Sequence, residues 1–246
     1  MKVRCSRQAM LLALLFLAAL AAKEVTYLLE YKYLNKVSAY HHYIQGTIER
    51  TGEVERIHLQ FVRNEQFTAS GEKQYLLKEW GEKYQGSQLD FSELGLPGPG
   101  ERLEKVVDRL GRVGSVLRYM QGHRYYLNWM VFPDHPLAAG ASWKYEYPLV
   151  FDAFGKSVRA KCELNYTLEK AMAYKKYFAA KILAQGVCRG QEDTAEVQYG
   201  FDAKIYFDID QGREIDYQTN LSWAKADTAK HLKETAQLEI YSILEK

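Results

Sequence analysis

Apolar and polar residues alternate with period two through much of the C-terminal half. Over 158–169, Val158, Ala160, Cys162, Leu164, Tyr166 and Leu168 share one face, and charged or polar residues share the other. That pattern predicts a long strand with one face buried. Residues 197–209 repeat it with Val197, Tyr199, Phe201, Ala203, Ile205, Phe207 and Ile209. Residues 215–223 repeat it with Ile215, Tyr217, Leu221 and Trp223. Asp210-Gln211-Gly212 between the last two runs reads as a hairpin loop. The run 234–244 alternates less cleanly and predicts a last strand.

The N-terminal half carries weaker versions of the pattern. Residues 25–34, 36–50 and 54–67 predict three strands, with Thr51-Gly52 as a hairpin turn. Residues 106–108 and 112–117 predict another hairpin around Arg109-Leu110-Gly111. Residues 124–132 and 142–147 predict strands on either side of a Pro-containing loop. Over 72–84, Leu76, Leu77, Trp80 and Tyr84 fall near one helical face, and a strand is the competing reading. Gly95-Leu96-Pro97-Gly98-Pro99-Gly100 reads as a loop or linker. Hairpin follows hairpin with no regular helix between strands, which argues against a parallel α/β sheet. The expected fold is mainly β: antiparallel meanders in a curved sheet, sandwich or open barrel, with at most one or two short helices. It forms one domain over 22–246, or two halves joined near 95–100.

The first residues break the pattern. Lys2, Arg4 and Arg7 precede an apolar run over 9–22, and Ala19-Leu20-Ala21 matches an A-x-A cleavage pattern. A membrane-spanning helix needs about 20 apolar residues. Residues 1–21 therefore read as a cleaved export signal, which places the mature protein in the periplasm or outside the cell. Cys5 precedes the apolar run, so it does not occupy the place of a lipidated cysteine.

Export changes the charge. The full chain carries 33 Lys+Arg and 31 Asp+Glu, a formal +2. Loss of the signal's three basic residues makes it −1, which leaves little basic excess for nucleic acid. Export also makes the cysteines meaningful, because Cys162 and Cys188 would then fold in an oxidising compartment. With a turn at 173–177, residues whose numbers sum to 350 lie opposite one another. Met172 then faces Phe178, Leu168 faces Ile182, Tyr166 faces Ala184, and Cys162 faces Cys188. Opposite cysteines in antiparallel strands lie within bonding range, so a Cys162–Cys188 disulfide is expected.

Motifs for catalysis are missing. There is no nucleophile elbow, P-loop, dinucleotide fingerprint or zinc spacing. Asp208, Asp210, Glu214 and Asp216 surround Gly212 and make a candidate calcium turn, although the EF-hand spacing is absent. No cofactor is expected.

Phe132-Pro133-Asp134-His135-Pro136-Leu137, followed by Gly140-Ala141-Ser142-Trp143, resembles the P-x-x-P-x-x-x-G-x-S/T-W junction of uncharacterised secreted bacterial β-rich proteins. The resemblance implies an extracytoplasmic β-rich protein and carries no activity. Trp143 reads first as a core anchor.

The 19 Tyr permit two readings. Tyr31, Tyr33, Tyr125, Tyr145 and Trp143 could line an aromatic groove for a lipid or other apolar ligand. Tyrosine is also common in sheets, and packing explains most of these side chains. The expected function is non-enzymatic: binding of a lipid or apolar molecule, or docking on an envelope partner. An outer-membrane β-barrel and a hydrolase with dispersed catalytic residues are the alternatives.

Overall fold

The computed structural model describes residues 25–89, 91–94, 96–118 and 130–245. The residues read as an export signal, Tyr125 and most of the strand expected over 124–132 lie outside them. The elements are β1 (Thr26–Tyr27), β2 (Val37–Arg50), β3 (Glu53–Gly71), β4 (Gln74–Gly86), a 3-10 turn (Phe91–Leu94), β5 (Arg102–Asp108) and β6 (Val113–Arg118). They continue as β7 (Leu137–Ala138), β8 (Ser142–Ala153), β9 (Lys156–Tyr174), β10 (Tyr177–Glu192), β11 (Ala195–Asp208), β12 (Arg213–Asp227) and β13 (Leu232–Leu244). Eleven strands form one antiparallel sheet in the order β6-β5-β4-β3-β2-β13-β12-β11-β10-β9-β8. The sheet curls into a half-barrel. Among the described residues β6 and β8 do not pair with one another, so it stays open.

Alternation decides which side faces in. Val158, Ala160, Cys162, Leu164, Tyr166 and Leu168 of β9 are all buried. So are Val197, Tyr199, Phe201, Ile205 and Phe207 of β11. The C-terminal strands roll far enough for Phe151 of β8 to stack on Tyr199, ring centres 4.3 Å apart. Gly46 in β2 marks a tight place in the curl. Its φ is +149°, and a Cβ there would lie 2.0 Å from the Gln237 carbonyl of β13. Only glycine fits that approach.

The expected hairpin register holds at its disulfide end. Leu168 pairs with Ile182, Tyr166 with Ala184, and Cys162 with Cys188. The two cysteines are joined, with Cα atoms 4.0 Å apart. Near the tip the register differs: Phe178 pairs with Ala173 rather than Met172. A bulge at Lys181/Ile182 leaves Glu169 as an extra residue and shifts the remaining pairs by one.

Two further expectations are corrected. Residues 72–84 are not helical, because β4 pairs with β3 on one side and β5 on the other. Residues 25–34 are not a strand beyond Thr26–Tyr27. In the middle of this stretch the backbone bonds to turns: Tyr31 N–H donates to Arg109 O (2.8 Å) and Lys32 N–H to Gly212 O (3.0 Å), and only at its end does Leu34 bridge Phe67 of β3. This segment is a strap across one end of the half-barrel. It carries Tyr31 into an aromatic floor with Phe67, Phe132 and Phe207, at centre distances of 5.0–5.6 Å.

Candidate functional site

The largely apolar concave face carries a seam of polar side chains near the strap. Its residues occupy inward positions on six neighbouring strands. Lys105 comes from β5, Glu79 from β4, Arg63 and Glu65 from β3, and Tyr40 and His42 from β2. Ser242 of β13, with Glu214 and Tyr217 of β12, completes it. Register brings these groups together: Glu65 lies opposite Glu79, Tyr40 opposite Arg63, and His42 opposite Ser242.

Arg63 is the hub. Its Nη1 is 3.1 Å from Glu79 Oε1, and its Nη2 is 3.4 Å from Glu65 and 3.6 Å from Glu214. Lys105 Nζ reaches Glu79 Oε2 at 2.9 Å. Tyr40 donates its hydroxyl proton to Glu65 Oε1 at 2.7 Å. All five ionic side chains are buried. Two cations face three carboxyls, so the cluster is one negative charge in excess if every group ionises.

Burial opposes that excess. It raises the Glu214 carboxyl to about 7, helped by the charges of Glu65 and Glu79 and opposed by Arg63. Burial also raises Glu65. Glu79 suffers the same burial, but Lys105 and Arg63 outweigh it and hold its carboxyl below the usual range. Glu214 thus holds its proton below about pH 7 and shares it about equally with solvent near that pH, which offsets part of the excess charge.

A β-bulge places Glu214 here. Phe207 pairs with Glu214 while Tyr206 pairs with Asp216, leaving Ile215 extra. This breaks up the acidic turn proposed for calcium. Glu214 joins the seam, and Asp208 accepts N–H bonds from Asp210 and Gln211 in its own turn. Asp216 accepts from Tyr174 and Lys175. The four carboxylates do not converge.

His42 stacks on Phe61 and lies 3.2 Å from Ser242 Oγ and 3.4 Å from Tyr217 OH. Burial, with the Arg63 charge, drives its pKa well down, so the imidazole is neutral. His42 and Ser242 are both fully buried. This is a packed polar contact and does not offer an accessible nucleophile.

Beside the seam lies an apolar gap of about 20 Å³, lined by Leu94, Leu96, Phe201, Ile205, Leu221 and Glu214 among others. Leu94 and Leu96 come from the segment between β4 and β5. They fill the concavity together with Phe91, which packs edge-on against Phe61 and Tyr84. Tyr84 donates to Pro97 O at 2.6 Å, and Gly81 bridges Pro99. The Gly/Pro segment expected as a loop or linker thus runs over the inner face as a cover.

The expected aromatic groove residues sit elsewhere. Tyr31 is in the floor, and Tyr33 carries the Arg213 guanidinium 3.9 Å above its ring. Trp143 stacks on Tyr166 and donates its indole N–H to Val131 O at 2.7 Å. Tyr145 stacks on Tyr147. None of these four lines the gap. The ion cluster escaped the sequence reading, although Arg63 and Glu65 lie two apart on an otherwise apolar face, the pattern of a strand that buries charge.

The fold and site together define an open antiparallel half-barrel with a covered apolar concavity and a buried ion cluster. No family model matches the chain, and no curated protein matches it. Among solved structures it is similar to a hypothetical lipoprotein, YmcC, of Escherichia coli K12. The identity is 9%, the match covers 96% of this chain and 98% of that one, and the TM-score is 0.29. At that score the likeness supports no statement about this chain.

Proposed function

We propose that the protein is an exported, non-enzymatic binding protein that holds an apolar or amphipathic molecule on its concave face. The observation that carries this reading is the cover. The apolar inner face is filled in its middle by Phe91, Leu94 and Leu96 of one connecting segment, with a gap left beneath them. The gap holds about one water-sized volume. An acyl chain enters when Leu94 and Leu96 withdraw, and it takes over their contacts with Phe201, Ile205 and Leu221. Glu214, whose carboxyl is raised to about 7, gives the apolar space one hydrogen-bonding end. The Cys162–Cys188 pair supports folding in an oxidising compartment. Among the described residues the sheet is unclosed, which favours this reading over a membrane barrel, which must pair every edge.

Native mass spectrometry of the protein taken from its own envelope fraction tests the reading. A co-purifying lipid is the expected result. The double substitution Leu94→Ala/Leu96→Ala should strengthen binding of an environment-sensitive apolar dye at least several-fold. An empty protein whose dye binding ignores both substitutions would sink the proposal.

A further inference from the structure

We propose that a groove on the convex face is a second site, which takes one anionic single-chain amphiphile. The groove encloses about 650 Å³, within the range of roughly 300–1,000 Å³ typical of small-molecule sites. Its position follows from register. His42 and Ser242 point inward, so His41 and Ile243, each one residue along, point outward, and they pair with one another. Opposite them stands the tip of the β9–β10 hairpin, which folds over the outer face. Tyr174 stacks on Tyr206 at 3.8 Å, and both Tyr174 OH and Lys175 Nζ bond to Asp216, at 2.6 and 2.7 Å. Tyr177, Ile215 and Ile243 line the space between tip and sheet, and Leu244, next to Ile243 at an inward register position, borders its end. Ile243 is 40% exposed, unusually open for a large apolar side chain. The bulge that turns Glu214 inward is what frees Ile215 for this outer floor.

The rim supplies the charge. Lys175 is already matched by Asp216, and Glu245 lies 3.5 Å from His41. Lys176 is exposed, with its ammonium 5.5 Å from the centre of the Tyr177 ring. Arg213 lies between the Tyr33 and Tyr177 rings, at 3.9 and 5.9 Å. Lys36 lies 5.3 Å from the Tyr33 ring. None of Lys36, Lys176 and Arg213 has a carboxylate at ion-pair distance among the described residues. The buried Nε of Arg213 also lacks an acceptor. An unmatched guanidinium beside an apolar trough calls for an anionic head and an apolar tail. A phosphate or carboxylate would sit at Lys176 and Arg213, with the chain along Ile215, Ile243 and Leu244.

The test uses the full chain with methyl-labelled Ile and Leu. Dodecyl phosphate, dodecyl maltoside and dodecyltrimethylammonium are titrated below their micelle concentrations, by calorimetry and by NMR. Dodecyl phosphate should bind one per chain and shift the Ile215, Ile243 and Leu244 methyls. Lys176→Glu, in an exposed turn, should weaken it several-fold, and adding Arg213→Glu should weaken it at least tenfold. Equal binding of the maltoside, shifts confined to Leu94 and Leu96, or no binding would each overturn the proposal. Attachment to anionic vesicles without binding of the monomeric amphiphile would overturn it too, and would make the face a membrane contact. Because the two sites report through different methyls, failure here leaves the concave site to its own test.

Discussion

Arg63 occupies an inward position on β3 between Phe61 and Glu65, and it stays charged because three carboxyls surround it. The arrangement makes stability depend on pH through Glu214. Its carboxyl is raised from the ordinary 4.5 to about 7, so the folded chain takes up a proton before the unfolded chain does. The stability from this proton is fully present below the unfolded carboxyl range. It is lost as pH rises through about 7. Glu79 has the opposite sign, since its lowered carboxyl stabilises the fold above the ordinary carboxyl range and fails in acid. Denaturant melts between pH 5 and 8 should show stability falling with a slope approaching ~1.4 kcal/mol per pH unit for one proton. Glu214→Gln should flatten that slope. An unchanged slope in the variant would assign the proton to another group. These residues were illegible in the sequence for a physical reason. A buried charge looks like a surface charge until register supplies its partners, and Glu79 and Lys105 break the alternation that would have marked β4 and β5.

At the scale of the element, the β9–β10 hairpin shows what alternation can and cannot specify. Its apolar faces match in only one parity, so the pairing of Cys162 with Cys188 could be read from the residues. The bulge at Glu169 could not. Ala171, Met172 and Ala173 offer no contrast between faces, and the extra residue is stabilised by Glu169 reaching Lys181 Nζ at 2.6 Å. The disulfide closes a loop spanning 26 residues, worth about 3.5 kcal/mol on a chain-entropy estimate. The double substitution Cys162→Ala/Cys188→Ala should lower unfolding free energy by about that amount. A loss near zero would mean that the reduced hairpin is already ordered in the unfolded chain. The strap was misread because residues 25–34 have a strand's composition. The N–H groups of Tyr31 and Lys32 bond to two distant turns, at Arg109 and Gly212, and no local pattern encodes such partners. Gly212 is where the strap comes nearest: a Cβ there would lie 2.4 Å from the Glu30 carbonyl.

The whole molecule is two meanders joined edge to edge. One runs from β2 out to β6, and the other returns from β8 to β13. Eleven residue pairs between β2 and β13 close the seam between them. The hairpins were visible locally, because each has a turn signal between alternating runs. The β2–β13 seam unites residues some two hundred positions apart, and nothing local announces it. The 95–100 segment looked like a boundary because it is rich in Gly and Pro. The strands it connects are neighbours in one sheet, and its leucine, Leu96, belongs to the core.

An open sheet also has two ends. The longer is β8, paired only with β9 among the described residues. A free strand edge is a template on which another chain can continue the ladder. Pro148 stands in the middle of this edge and removes one backbone donor, a substitution tolerated where a strand lacks a second neighbour. The outward side chains Lys144 and Glu146 add charge on either side of zero. Copies of this protein should therefore remain separate at concentrations where a plain β edge would recruit them. Pro148→Val should produce a concentration-dependent dimer or larger species in sedimentation velocity, and an unchanged monomer would place the protection elsewhere. The same residue that ends the ladder would thus set the protein's state of assembly.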